Sequence, residues 1–251
     1  VKSAEEAPLA VLRICEITAE WDRAVDLCGE LLRIGTDTVT PGQLAHYYCE
    51  LAEEARKKSD WKEAYRLLEQ AEAVEPGKVR CTIIRGDLAA DQGQSVAAAS
   101  AYAELARAVP AMLGDILPRL LRTVPQAGLE PLLQEVTATP EGLRGIALAV
   151  IRDPQISHPA AIDCLGRFIE QQPILRDLAG AGFPGAAAAD SRRQAIERVR
   201  KALHQLARVG TNYQCADCGY YSSVLQWQCP GCRAWDTVGA ADRLLFKGSP
   251  V

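Results

Sequence analysis

"YYCELAEEARKKSDWKEAYRLLEQAEAVEP" (47–76) and "CTIIRGDLAADQGQSVAAASAYAELARAVP" (81–110) are echoes of one another. With a shift of 34 residues, their small and apolar positions coincide. Ala52 meets Gly86 and Ala55 meets Ala89; Ala64 meets Ala98, Leu68 meets Tyr102, Ala71 meets Leu105 and Pro76 meets Pro110. Small residues let two antiparallel helices approach closely, and larger ones fill the next groove. Each proline ends the second helix, because it has no N–H to donate and biases the preceding residue away from the helix. The agreement is incomplete, since Arg85 and Ser95 stand where Leu51 and Trp61 would be expected to recur. An earlier copy lies in "WDRAVDLCGEL" (21–31), where Trp21, Ala24, Cys28 and Leu31 echo Trp61, Ala64, Leu68 and Ala71 at a shift of 40. The six additional residues fall in "IGTDTVTPGQ" (34–43), rich in turn formers.

A helix–turn–helix unit of this period resembles the tetratricopeptide repeat. The match is good at Gly86, Ala89, Gly93, Ala98, Tyr102 and Pro110. Beyond Pro110 the repeat decays but the helical pattern continues. "TPEGLRGIALAVI" opens with Thr139 as an N-cap and Pro140 at the first helical position, and "HPAAIDCLGRFIEQQ" (158–172) begins in the same way. The expectation is an all-α, TPR-type α-solenoid, a right-handed superhelix of helical hairpins to about residue 180. "GAGFPGAAAAD" (180–190) reads as a joint. "SRRQAIERVRKALHQLARV" (191–209) reads as an amphipathic helix with Ile196, Val199, Leu203 and Leu206 on one face. The expected organisation is a repeat domain over 1–190, a connecting helix over 191–210, a small metal-binding module over 211–240 and a tail over 241–251. Such a solenoid presents a surface to a peptide or partner helix, so protein binding is expected rather than catalysis.

The module is "YQCADCGYYSSVLQWQCPGCRAW" (213–235). Cys215 and Cys218 form one C-x2-C pair, Cys229 and Cys232 another. Each pair wraps a tight turn so that both thiolates point inward. Gly219 follows the first pair, where a positive φ is useful, and Pro230 and Gly231 shape the second turn. Four soft thiolates in a tetrahedron suit zinc, or a single iron as in rubredoxin. Zinc in a structural role is favoured, with iron as the alternative; ligand type does not separate them. With four protein ligands no coordination position is open, which argues against hydrolytic metal catalysis. Tyr213, Trp227 and Trp235 read as packing residues of this small unit or as its docking contacts, because basic residues are scarce around them.

Composition sets the remaining bounds. The chain has 251 residues, is 48% hydrophobic but only 6% aromatic, and carries a formal charge of -4. Low aromatic content favours helices over a β-sandwich, and the charge gives no electrostatic case for nucleic-acid binding. No apolar run reaches membrane-spanning length and no secretory signal is visible. The chain begins at Val1 and its only methionine is Met112, so it reads as a fragment. Cys15, Cys28, Cys49, Cys81 and Cys164 are scattered, as expected for reduced core thiols rather than a disulfide framework. His46, His158 and His204 are isolated and read as structural or surface residues. "ELAEEARKK" (50–58) predicts a solvated helix with i,i+4 ion pairs. Arg192, Arg193, Arg198, Arg200, Lys201 and Arg208 predict a solvated basic face, with contact to an acidic partner or an anionic membrane as the functional alternative. No phosphate-binding loop is present, so the likeness of the cysteine segment to that of RadA-type repair ATPases is local.

Helical repeats followed by a C-terminal four-cysteine module form an unusual combination. The ending "CPGCRAW" sharpens it, with Arg233, Ala234 and Trp235 where rubredoxins and many zinc ribbons have glycine after the last cysteine. This resembles the lipopolysaccharide assembly protein B family (LapB, also called YciM) of Gram-negative bacteria, specifically from Cys215 to Trp235 and generically in the repeats. The resemblance implies an N-terminal membrane helix, expected to be missing from this chain. It places the whole protein at the inner membrane, single-pass, with its bulk on the cytoplasmic side. It implies an adaptor without enzymatic activity that brings the LpxC deacetylase, which commits precursors to lipid A, to the FtsH membrane protease. The inner-membrane regulator YejM (LapC) relieves that restraint, and LapA is a further expected partner. Cys215, Cys218, Cys229 and Cys232 carry over as metal ligands.

Overall fold

Helix ends are written plainly in this sequence. Thr40 accepts a hydrogen bond from the Gln43 N–H, with Pro41 at the first helical position, and Asp60 accepts from the Glu63 N–H. Stops recur with the same spacing as the core residues. Ala19 (φ 56°), Ser59 (φ 59°) and Gly93 (φ 72°) all take the left-handed conformation that turns the chain between paired helices. Their separations are the shifts of 40 and 34 seen in the sequence.

The computed structural model describes residues 2–180, 188–209 and 213–240, which fall into two compact units. The first, Val1–Leu105, holds α1 (Lys2–Thr18), α2 (Trp21–Arg33), α3 (Pro41–Lys57), α4 (Trp61–Val74), α5 (Val79–Asp91) and most of α6 (Ser95–Ala108). Its core is built from the aligned positions. Ala52, Ala64, Leu68 and Ala71 are fully buried, together with Cys49, Cys81 and Leu88. At Gly86 a β-carbon would stand 2.5 Å from the ring of Tyr102, so the smallest residue on one helix makes room for the largest on the next. The Tyr102 hydroxyl donates to Asp87 at 2.5 Å.

Arg85, which breaks the repeat, is paired with Glu72 at 2.5 Å. One expectation for this unit changes: the ion pairs described in the stretch 50–58 are not at i,i+4 spacing. Arg56 reaches Glu53 one turn back and crosses to Asp87 and Asp91 on α5, at 3.0, 3.6 and 2.7 Å. The neighbouring helix supplies two carboxylates, so Arg56 bridges helices as well as pairing along its own face.

The second unit, Ala106–Val251, begins with a 3-10 turn at Pro110–Met112. It continues through α7 (Leu113–Thr123), α8 (Gln126–Val136), α9 (Pro140–Arg152), α10 (Pro159–Gln171), α11 (Pro173–Gly180) and α12 (Ala188–Val209). Thr139 caps α9 as expected, accepting from the Gly142 N–H at 3.1 Å. His158 precedes α10, but its ring makes no capping bond. Helix α9 is buried along both flanks, from Leu143 through Ile151, and α7, α10 and α12 pack against it. It meets α7 at a pair of glycines, where a β-carbon on Gly114 would lie 3.2 Å from the Gly145 carbonyl oxygen. That approach brings Asp115, next along α7, toward Arg152 at the end of α9.

Of the expected joint over 180–190, residues 181–187 lie outside the described residues, as does the tail 241–251. Ala195, Ile196, Val199 and Leu203 form the buried stripe of α12; the Leu206 side chain is outside the described set. The polar face is not uniformly solvated. Arg193, Arg198 and Lys201 are exposed, whereas the side chains of Arg192 and Arg208 are outside the described set. Arg200 is 7% exposed and donates to the carbonyls of Ile156 and Pro154 at 3.0 and 2.5 Å. It is a structural cation holding the loop between α9 and α10, not part of a basic contact face, because two inward-facing carbonyls needed a donor.

Among the described residues no helix is long and apolar enough to cross a membrane. The only sheet among them is small and antiparallel, in the order β2-β1-β3, formed by β1 (Tyr213–Cys215), β2 (Tyr221–Ser222) and β3 (Val238–Ala240).

Candidate metal centre

Two knuckles built on one plan bring the four cysteines together. In the first, the Gly219 N–H returns to the Cys215 carbonyl at 3.0 Å; in the second, the Arg233 N–H returns to the Cys229 carbonyl at 2.8 Å. The Cys215 N–H donates to the Tyr220 carbonyl and the Cys229 N–H to the Ala234 carbonyl, both at 2.8 Å. The residue after each pair is left-handed: Gly219 at φ 75° and Arg233 at φ 65°. The first was expected of a glycine. In the second knuckle the turn is made by Arg233 itself, whose carbonyl is held by Gln228 Nε2 at 3.2 Å. Gly231 supplies space instead: a β-carbon there would lie 3.3 Å from Sγ of Cys218.

The four sulfurs lie within 4.8 Å of one another. Sγ of Cys215 is 3.7 Å from that of Cys232, and Sγ of Cys218 is 3.6 Å from that of Cys229. A tetrahedron of thiolates at the ordinary zinc–sulfur distance has edges of about 3.8 Å. The cluster therefore fits one metal ion bound by four cysteines. Cys215 and Cys229 are buried, and Cys218 and Cys232 are exposed, so the centre shows one edge to solvent.

The protein matrix already favours charge on one sulfur. The Thr237 hydroxyl, 3.2 Å from Sγ of Cys215, and the N–H groups of Cys218 and Asp217 pull that thiol down to about 6. Cys232 goes the other way, up to about 12. The Ala234 N–H pulls it down, but desolvation and the sulfurs of Cys218, Cys215 and Cys229 outweigh that. Cys218 is raised: the Tyr220 N–H and the sulfur of Cys232 pull it down, but desolvation and the sulfurs of Cys229 and Cys215 outweigh them. Without a metal, four clustered thiols share protons; an ion replaces them.

The sheet is anchored to the helices by a residue two places before the first ligand. Tyr213, 6% exposed, donates its hydroxyl proton to Oδ1 of Asp115 on α7. Arg152 on α9 donates to the same hydroxyl at 3.1 Å, and its guanidinium sits 4.9 Å from the centre of the Tyr213 ring. Burial raises the Asp115 carboxyl above its usual value, opposed by the Tyr213 hydroxyl and the cations of Arg152 and Arg119. Tyr213 is thus the docking residue; Trp227 and Trp235 are half-buried in the ribbon itself, where Gln228 and Trp235 form a bridge. Neither Asp115 nor Arg152 stands out in the sequence, since they lie 98 and 61 residues away.

The histidines are not gathered into a site. His46 is buried, with Nδ1 3.5 Å from Arg80, and His204 Nδ1 lies 2.9 Å from the Ile151 carbonyl. The five scattered cysteines are all buried free thiols, and Cys49 and Cys81 stand side by side.

Residues 213–240 match the family described as "Rubredoxin metal binding domain" (Zn_ribbon_LapB). The chain is similar to lipopolysaccharide assembly protein B of Escherichia coli (strain K12), 25% identical over 91% of this chain and 60% of the relative. It is similar to the protein of the same name from Haemophilus influenzae, 25% identical over 94% of this chain and 61% of the relative. The chain thus spans about three-fifths of the length of these curated relatives.

Proposed function

We propose that this chain works in lipopolysaccharide assembly as a regulatory adaptor that binds proteins and transforms none. The observation that carries the reading is a four-thiol ribbon fastened to the helical unit through Tyr213, Asp115 and Arg152, in a chain similar to lipopolysaccharide assembly protein B along nine-tenths of its length. A closed tetrathiolate centre suits a structural zinc ion. Zinc would replace the shared protons, draw the two knuckles together and so hold β1 in place beneath its helical contacts. Nothing in this arrangement requires a catalytic residue.

The adaptor acts by proximity. Holding the LpxC deacetylase and the FtsH protease together, or holding both near the cytoplasmic face of one inner membrane, raises the local substrate concentration without new chemistry. YejM (LapC) and LapA are the further partners of this reading, with the helical repeats as the binding surface. The test is capture from a Gram-negative membrane extract with the intact chain and with a Cys229→Ser/Cys232→Ser variant, probing for FtsH and LpxC. Recovery by the intact chain alone supports a metal-braced adaptor. Equal recovery by a metal-free variant removes the brace, and recovery by neither removes the adaptor.

A second reading, an iron-containing electron carrier, rests on the exposure of Cys218 and Cys232 at one edge of the centre. Visible absorbance that bleaches reversibly on reduction is its signature.

A further inference from the structure

Two cysteines unconnected with the ribbon stand together in the first unit. Sγ of Cys49, on α3, lies 3.5 Å from Sγ of Cys81, on α5, and both are fully buried free thiols. They belong to the core cluster that includes Ala45, Ala52, Ile84 and Leu88. The small residues around them let α3 and α5 come close. The two residues do not occupy equivalent repeat positions, since their spacing is 32 rather than 34. The pair is therefore a feature of this packing and not a by-product of the repeat.

We propose that Cys49 and Cys81 are a modification site: a thiol pair that a small hydroperoxide converts to a reversible disulfide between α3 and α5. The contact is already closer than ordinary sulfur packing, and closing it to a bond needs a movement of about 1.5 Å, taken up by side-chain rotation and small helix shifts. The two thiols share one S–H···S contact in which either sulfur can be the donor, so either can act as nucleophile with the other resolving it.

The chemistry balances with the hydroperoxide as sole oxidant. One thiolate of the pair attacks the peroxide; an S–O bond forms, the O–O bond breaks and an alcohol, or water from hydrogen peroxide, departs after protonation. The second thiol then attacks the sulfenic sulfur, the S–S bond forms, the S–O bond breaks and water leaves with the second thiol's proton. Two thiols lose two electrons and the peroxide gains them. A dithiol reductant reverses the change by thiol–disulfide exchange. Because both sulfurs are buried, reagent enters only on local opening, so the pair records sustained oxidant rather than a brief pulse. Once closed, the bond staples two successive helical hairpins and suppresses their opening.

The test uses the metal-loaded chain treated with hydrogen peroxide, then blocked with iodoacetamide in denaturant and mapped by mass spectrometry. The expected result is a Cys49–Cys81 linked peptide that disappears with dithiothreitol, together with slower amide exchange in α5 of the oxidised protein. In Cys49→Ala and in Cys81→Ala the linked peptide is expected to be absent and dimedone to label the remaining cysteine of the pair. Absence of the linked peptide from the unaltered chain at oxidant levels that modify the ribbon cysteines overturns the site. If either variant fails to fold, mapping of the unaltered chain still decides whether the bond forms.

Discussion

Replacing Tyr213 with phenylalanine should loosen the ribbon from the helices while leaving every cysteine in place. The ring stays beneath the Arg152 guanidinium, and only the hydroxyl goes. That hydroxyl donates to the Asp115 carboxylate and accepts from Arg152. A hydrogen bond to a charged group contributes about 1.5–3 kcal/mol, and the partly buried carboxylate keeps the Arg152 and Arg119 cations nearby, which moderates the loss. A cost of about 2 kcal/mol is expected, close to 30-fold in the docking equilibrium. For a unit of this size it should lower the melting temperature by roughly 6 °C. Far-UV circular dichroism reads the melt, and a colorimetric chelator reads metal release at constant temperature. Release should quicken, because β1 carries both Tyr213 and the buried ligand Cys215. Tyr213→Ala, which also removes the ring, should cost more. If Tyr213→Phe melts and releases metal like the unaltered protein, the latch contributes nothing and the ribbon is held by other contacts.

Three further outcomes follow from particular residues. Arg200→Met should cost about 2–3 kcal/mol in urea unfolding, because the carbonyls of Pro154 and Ile156 lose their donor, whereas Arg193→Met should stay within ~0.5 kcal/mol; equal effects would return Arg200 to a solvated face. Ser59→Gly should stabilise the first unit by about 0.5–1 kcal/mol by relieving a left-handed backbone, and a lower midpoint in the same assay would contradict this. Metal affinity should rise with pH across the neutral range. Cys232, pushed up to about 12, and the raised Cys218 hold protons there that the ion must displace, while Cys215, near 6, adds to this only in acid. Competition titrations at several pH values that show no slope would contradict the proton sharing.

What was legible in the sequence was what depends on short range or on period. The clustering of Cys215, Cys218, Cys229 and Cys232 was legible because two C-x2-C pairs turn their sulfurs toward one point. The repeat was legible because Ala52/Gly86 and Leu68/Tyr102 recur with helix-pair spacing, and the structure adds that Ala19, Ser59 and Gly93 turn the chain at the same intervals. Contacts between distant segments were hidden. Tyr213 reads only as an aromatic beside a cysteine until α7 and α9 cross at Gly114 and Gly145 and present Asp115 and Arg152 to it. Arg200 looked like its neighbours, since an amphipathic pattern marks a polar face but not which member bends inward to a carbonyl. Cys49 and Cys81 looked like separate core residues because their meeting is set by the packing of α3 on α5.

The central claim is that a structural zinc ion in the Cys215, Cys218, Cys229 and Cys232 centre braces the ribbon against the helices. Elemental analysis of the purified chain, with its visible spectrum, tests this most directly. One zinc per chain, no visible absorbance, and loss of the metal in Cys229→Ser/Cys232→Ser together with a lower melting temperature of the helical unit are expected. One redox-active iron per chain, or a helical unit that melts unchanged after the metal is lost, would contradict it.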